Sequence, residues 1–134
     1  MAQKRILLAD DDSDDKAIFL EAINELGRDV FWVSTAENGH EAIEILSNIK
    51  PDDELPALVI LDQNMPRMTG KETLAQLKQS PRFRDIPVII YSTYNNNKFI
   101  EECRQLGAAA IISKPDSYDD YKKMIQLFFD GLAK

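Results

Sequence analysis

Cysteine, histidine and tryptophan each occur once in the 134 residues. A single Cys103 excludes an internal disulfide framework and suits a reducing cytoplasm. His40 has no second His or Cys near it in sequence, which rules out a zinc site built from such donors. No apolar run approaches the roughly 18 residues of a membrane span. The apolar stretch that follows Lys4-Arg5 is also too short for a secretory signal. Basic residues are the minority, 16 against 23 acidic, and the net charge is −7. That balance argues against direct nucleic-acid binding, which depends on cations neutralising phosphates. Linkers and low-complexity tracts are missing too, so residues 1–134 read as one domain with no output module attached.

What is present is an alternation. Short apolar runs at Ile6–Ala9, Val30–Ser34, Leu58–Leu61, Val88–Tyr91 and Ala110–Ser113 read as strands. Most lack polar alternation, which predicts burial on both faces. Between them lie segments of helical period. Phe19, Ala22, Ile23 and Leu26 fall at i, i+3, i+4 and i+7, as do Ala42, Ile45, Leu46 and Ile49, and Tyr121, Met124, Ile125 and Phe128. Lys71–Gln79 carries Leu74 and Leu77, and Lys98–Leu106 carries Phe99, Cys103 and Leu106. Gly27 and Gly107 close the first and fourth helices. Strand then helix, five times over, predicts an α/β fold: a three-layer, doubly wound parallel sheet with right-handed crossovers. For the order 2-1-3-4-5, ligands belong beyond the carboxyl ends of the strands, between the first and third.

The residues at those ends carry the chemistry. Asp10 and Asp11 follow the first strand, Asp62 the third, Ser92 the fourth and Lys114 the fifth. Each alone has an ordinary surface reading; their joint placement does not. Clustered carboxylates need a cation, and oxygen donors suit a hard ion such as Mg²⁺, with Mn²⁺ in its place as the alternative. A phosphoryl group arriving there would meet a metal, an ammonium and a hydroxyl. Phosphoryl transfer needs little beyond such positioning and charge, and an aspartate can serve as the nucleophile. Asp12, Asp14 and Asp15 read differently, as the start of a helix whose N-terminus favours negative charge. Trp32 reads as core, Cys103 as a small core residue, His40 as exposed, and an Asn of the run 95–97 as a helix cap.

Taken in order and spacing, LLADDD, VILDQNMPRMTG, IPVIIYST and GAAAIISKP closely resemble the receiver domain of two-component response regulators, the CheY-like family, over nearly the whole chain. The resemblance makes Asp62 the phosphoacceptor, and Asp10 and Asp11 its partners in binding Mg²⁺, with the Asn64 backbone carbonyl as a further ligand. It makes Ser92 and Lys114 the groups that grip the phosphoryl oxygens, and the Lys114–Pro115 bond cis. It also implies a phosphoryl donor, the phosphohistidine of a sensor kinase or phosphotransfer protein, and a downstream protein on the face of the fourth helix, fifth strand and fifth helix. A cytoplasmic monomer or weak homodimer that phosphorylates and dephosphorylates itself, without turnover on an outside substrate, completes the expectation.

This chain departs from that pattern in places. Ile111 stands where the family often has a switching Tyr or Phe. Thr93 replaces a frequent Ala or Gly, and Tyr94 follows it, which suggests a shielded and longer-lived phosphorylated state. A receiver-like module working without phosphate is the alternative function. A phosphohydrolase of the haloacid dehalogenase type is disfavoured, because Asn64 stands where a proton-transferring Asp is needed. A flavin carrier is disfavoured because carboxylates replace its phosphate loop.

Overall fold

The computed structural model describes residues 4–27, 31–93 and 96–132. Its elements run β1 (Lys4–Ala9), α1 (Ser13–Gly27), β2 (Phe31–Ala36), α2 (Gly39–Asn48), β3 (Leu58–Asp62), α3 (Gly70–Gln79), β4 (Val88–Ser92), α4 (Asn97–Gln105), β5 (Ala110–Ser113) and α5 (Tyr118–Leu132), with a 3-10 turn at Asp52–Glu54. The sheet is parallel with order β2-β1-β3-β4-β5, the topology read from the sequence. Strand pairing follows the β-branched and leucine-rich runs, and boundaries moved by a residue or two. Asp62 and Ser92 are the last residues of their strands; β2 runs Phe31–Ala36, and Val30, expected as its first residue, lies outside the described residues.

Side chains alternate across the sheet and feed two cores. On one face Leu7, Ala9, Val59, Leu61, Val88 and Ile90 pack against α2, α3 and α4. On the other, Ile6, Leu8, Leu58, Ile60, Ile89 and Tyr91 pack against α1 and α5. Every residue of β3 and β4 is buried, as their unbroken apolar runs predict. The edges differ. β5 is only half-buried, and β2 alternates.

Trp32 is the correction here: it is not core but 54% exposed. As an edge strand, β2 has no outer neighbour, and the helices leave this position uncovered. The indole instead lies under the Arg5 guanidinium, 4.7 Å from its ring centroid, an arrangement favoured by the negative face of the ring. Cys103 is fully buried and His40 is exposed, as read from sequence.

Helix ends are set by side chains. Asp12 accepts from the N–H groups of Asp14 and Asp15, and Asn38 from Glu41 N–H. Thr69 and Glu72 form a reciprocal capping box on α3. Asn96 accepts from Phe99 N–H, and Ser117 Oγ from Asp120 N–H. At the far end of α4, Gly107 N–H donates to Arg104 O and Ala108 N–H to Cys103 O. That Schellman pattern needs a left-handed residue, and Gly107 supplies φ +104°. Arg82 closes α2, donating to the backbone carbonyls of Leu46 (3.5 Å), Lys50 (3.0 Å) and Ile49, and to Asp52 Oδ1 at 2.8 Å.

Candidate functional site

The alternation that builds the α1/α5 core also aims the polar residues at the strand ends. Continuing Ile6 and Leu8 by two residues reaches Asp10, continuing Leu58 and Ile60 reaches Asp62, and continuing Ala110 and Ile112 reaches Lys114. All three side chains meet on that face. Lys114 Nζ lies 3.0 Å from Asp62 Oδ2, and 3.2 and 3.1 Å from the two oxygens of Asp10. Asp10 Oδ1 also accepts from Asp12 N–H at 2.9 Å, and Asp62 Oδ1 from Asn64 N–H at 3.1 Å. Carboxylate oxygens of Asp10, Asp11 and Asp62 lie within 4.8 Å of one another. Asp10 and Asp62 are buried, at 1% and 4% exposure, while Asp11 opens to solvent.

Burial dominates the electrostatics. It lifts the Asp10 carboxyl to about 6; hydrogen bonds from Asp12 and Lys114 only partly oppose this, and the charge of Asp62 adds to it. Burial pulls the Lys114 ammonium down, but hydrogen bonds to Asp15, Asp62 and Asp10 outweigh that and hold it above the usual lysine value. The site is therefore charged, crowded with acceptors, and fits a hard divalent cation. Its donor set is all oxygen, its carboxylates are close enough to share an ion, and one of them faces water.

The loop after Asp62 is tightly wound. Gly70 N–H donates to Gln63 O at 3.3 Å, and a Cβ on Gly70 would fall 2.7 Å from the Asp62 carbonyl oxygen. Only glycine lets α3 start this close to Asp62. Asn64 is exposed, with its N–H turned to Asp62. Ser92 is 3% exposed, sits one residue beyond the register partner of Asp62, and accepts the Lys114 N–H on its backbone oxygen at 3.2 Å. Thr93 is exposed, and the shielding expected of Tyr94 falls on a residue outside those described. Ile111 packs half-buried against the α2–α4 core. The Lys114–Pro115 bond is trans, the lower-energy isomer, where the resemblance implies cis.

Sequence reasoning missed Asp15. The sequence groups it with Asp12 and Asp14 as the start of a helix, apart from the metal site. Asp12 does cap α1, but Asp15 Oδ2 lies 2.7 Å from Lys114 Nζ, the shortest of that lysine's ion pairs. A signal was available. Stepping back four from Phe19 puts Asp15 on the inward stripe of α1 with Phe19, Ala22 and Ile23. Its neighbour Lys16 is buried and pairs with Glu37 at 2.6 Å.

Two tyrosines lie on the same face of the sheet as Asp62. Tyr91 (0% exposed) and Tyr121 (1%) bury hydroxyls that have no hydrogen-bond partner among the described residues. Burial raises both phenols above the ordinary tyrosine value; Tyr121 and then the nearby carboxylates add to this at Tyr91, and Asp15 adds to it at Tyr121.

Residues 6–126 match the family described as the response regulator receiver domain. The chain belongs to that family. This receiver is 32% identical over 119 residues to the two-component response regulator ORR5 of Oryza sativa subsp. japonica, covering 89% of this chain and 84% of the relative. It is 30% identical over 128 residues to sporulation initiation phosphotransferase F of Bacillus subtilis (strain 168), covering 96% and 95%. Among solved structures, the phosphorylated cyanobacterial phytochrome response regulator RcpA superposes with a TM-score of 0.84 at 27% identity, covering 96% of this chain and 93% of that one. The Mn²⁺-bound response regulator Rcp1 superposes at 0.80 and 27%, covering 95% and 92%. Receivers are signalling modules of two-component phosphorelays rather than conventional enzymes. No helix among the described residues of this receiver is long and apolar enough to cross a membrane.

Proposed function

We propose that this receiver accepts a phosphoryl group on Asp62 from a phosphohistidine of a sensor kinase or phosphotransfer protein. The observation that carries the reading is one cluster: three carboxylates within 4.8 Å of one another, two of them already paired with Lys114. In the transfer, an Asp62 carboxylate oxygen forms a bond to phosphorus as the donor's P–N bond breaks, and the leaving imidazole takes up a proton. Asp10, Asp11 and Asp62, with the Asn64 carbonyl, would hold Mg²⁺ or Mn²⁺. A divalent ion bound there supplies positive charge to the phosphoryl oxygens. Lys114 supplies the rest of that charge and keeps Asp62 oriented, and Ser92 offers its hydroxyl to a phosphoryl oxygen. Transfer then needs little else from the protein. Attack of water on phosphorus returns Asp62 and inorganic phosphate.

The phosphorylated state shifts an equilibrium between two arrangements of the α4–β5–α5 face, which a separate cytoplasmic protein reads. The half-exposed residues of β5 at the open edge of the sheet support that choice of face. The test is labelling with acetyl phosphate and Mg²⁺, followed by a kinase-derived phosphohistidine donor. Labelling that disappears with chelator and in Asp62→Asn is expected. A wild-type chain that no donor labels would instead be a receiver-like interaction module working without phosphate.

A further inference from the structure

Asp15 belongs to the working site, and we propose that it is a positioning residue that holds Lys114 in the resting protein and competes with the incoming phosphoryl group for it. Three observations lead there. The Asp15–Lys114 contact at 2.7 Å is shorter than either of the lysine's other ion pairs. Asp15 reaches in from the first turn of α1, whereas Asp10 and Asp62 come from the sheet, so the lysine is tied to a separate element. The side chain of Asp15 is 29% exposed, against 1% for Asp10 and 6% for Asp62, so it is the partner that solvent can most readily take back when the lysine leaves.

Charge explains why the competition matters. A divalent ion and one ammonium balance the three carboxylates of the metal cluster; Asp15 is a fourth, left over. Its charge faces the same ammonium that the phosphoryl oxygens need. In the resting state it stops Lys114 from settling wholly on Asp62 and Asp10. During transfer it must give the lysine up or share it, which slows uptake of the phosphoryl group. Lys16 does not fill this role for Asp15, because its ammonium is engaged by Glu37.

This inference rests on the phosphoacceptor reading, and the experiment separates the two. Wild type, Asp15→Asn, Asp15→Ala, Asp15→Glu and Asp14→Asn are phosphorylated with acetyl phosphate at saturating Mg²⁺, and the slope of rate against donor concentration is measured. Asp14 supplies the control, an exposed carboxylate in the same helical turn with no ion pair to Lys114 among the described residues. The expected result is a slope five- to tenfold higher for Asp15→Asn and Asp15→Ala. Asp14→Asn should stay within twofold of wild type, and Asp15→Glu, which keeps the charge, should return toward wild type. A merely structural role for Asp15 would leave the slope unchanged or lower it while reducing thermal stability. Equal slopes for Asp15→Asn and Asp14→Asn, with wild type phosphorylated, overturn the proposal alone. A wild type that takes no phosphate from any donor overturns the functional reading and this proposal together.

Discussion

Asp62 and Tyr91 are register partners on β3 and β4, and both side chains leave the sheet on the face covered by α1 and α5. The carboxylate sits at the rim, and the phenol is sealed in the core with its hydroxyl unpartnered. A buried hydroxyl without a hydrogen bond costs roughly 1–3 kcal/mol. Tyr91→Phe removes that group and little volume, so it should raise stability by about 1 kcal/mol in urea unfolding. Destabilisation of similar size would mean that the hydroxyl is satisfied in solution.

Asp10 gives the metal-free protein an acid-side dependence of defined sign. Its carboxyl lies at about 6 in the fold against 3.8 as an ordinary aspartate. Between those values the folded state holds a proton that the unfolded chain has released. Asp10's contribution is therefore fully present below 3.8 and is lost as pH rises to about 6, a change on the order of 3 kcal/mol. Binding of a divalent cation runs the other way, since a ligand carboxylate must be ionised. With Asp10 as a ligand, Mg²⁺ affinity should fall about tenfold per unit below pH 6. Calorimetric titrations at pH 5 and 7.5 that return one affinity would remove Asp10 from the ligand set.

Lys114 is the cation that lets the carboxylates coexist without metal. Lys114→Met should destabilise the metal-free protein by about 3 kcal/mol at pH 7.5, because buried Asp10 and Asp62 lose their partner. The deficit should shrink at pH 5, where Asp10 takes up a proton, and with millimolar Mg²⁺. Thermal melts under the three conditions measure it, and a deficit indifferent to both pH and Mg²⁺ would count against charge as its source.

Arg82 offers a test of the scaffold away from the site. Its guanidinium donates to the carbonyls of Leu46, Ile49 and Lys50, at and just past the end of α2, and the Leu46 carbonyl also accepts from Ile49 N–H. Arg82→Ala should cost about 1–2 kcal/mol. Hydrogen exchange should speed up at the α2 end and the Asp52–Glu54 turn, with metal binding unchanged. Uniform acceleration across the sheet would contradict this local role.

How much of this was legible in the sequence depended on the kind of signal. Unbroken runs such as Leu58–Leu61 and Val88–Tyr91 announce central strands because both of their faces are buried. The endpoints of those runs then placed Asp10, Asp62 and Lys114 at one rim, where they meet. Two readings differ from the structure because of where a residue sits within its element. Trp32 reads as core because it falls on the second strand, but an edge strand need not bury its outer positions. Asp15 reads as a helix-start residue directed away from the metal site, because acidic residues favour helix N-termini; it does lie in the first turn of α1, but the stripe through Phe19 and Ala22 turns it inward. Tyr91 and Tyr121 were legible as core, but not the lack of a partner for either hydroxyl, because partners depend on tertiary placement.

The exposed Trp32 has a practical consequence. As the chain's single tryptophan, it stands beside Arg5, four residues before the end of β1 at Ala9, about 13 Å along the strand at ~3.3 Å per residue. Its fluorescence is an optical channel far removed from the carboxylates. Emission at this indole should stay constant while metal binds at the rim, and it should respond when the outer strand peels from the sheet. Excitation of tryptophan alone thus follows unfolding of the β2 edge, free of interference from events at Asp62.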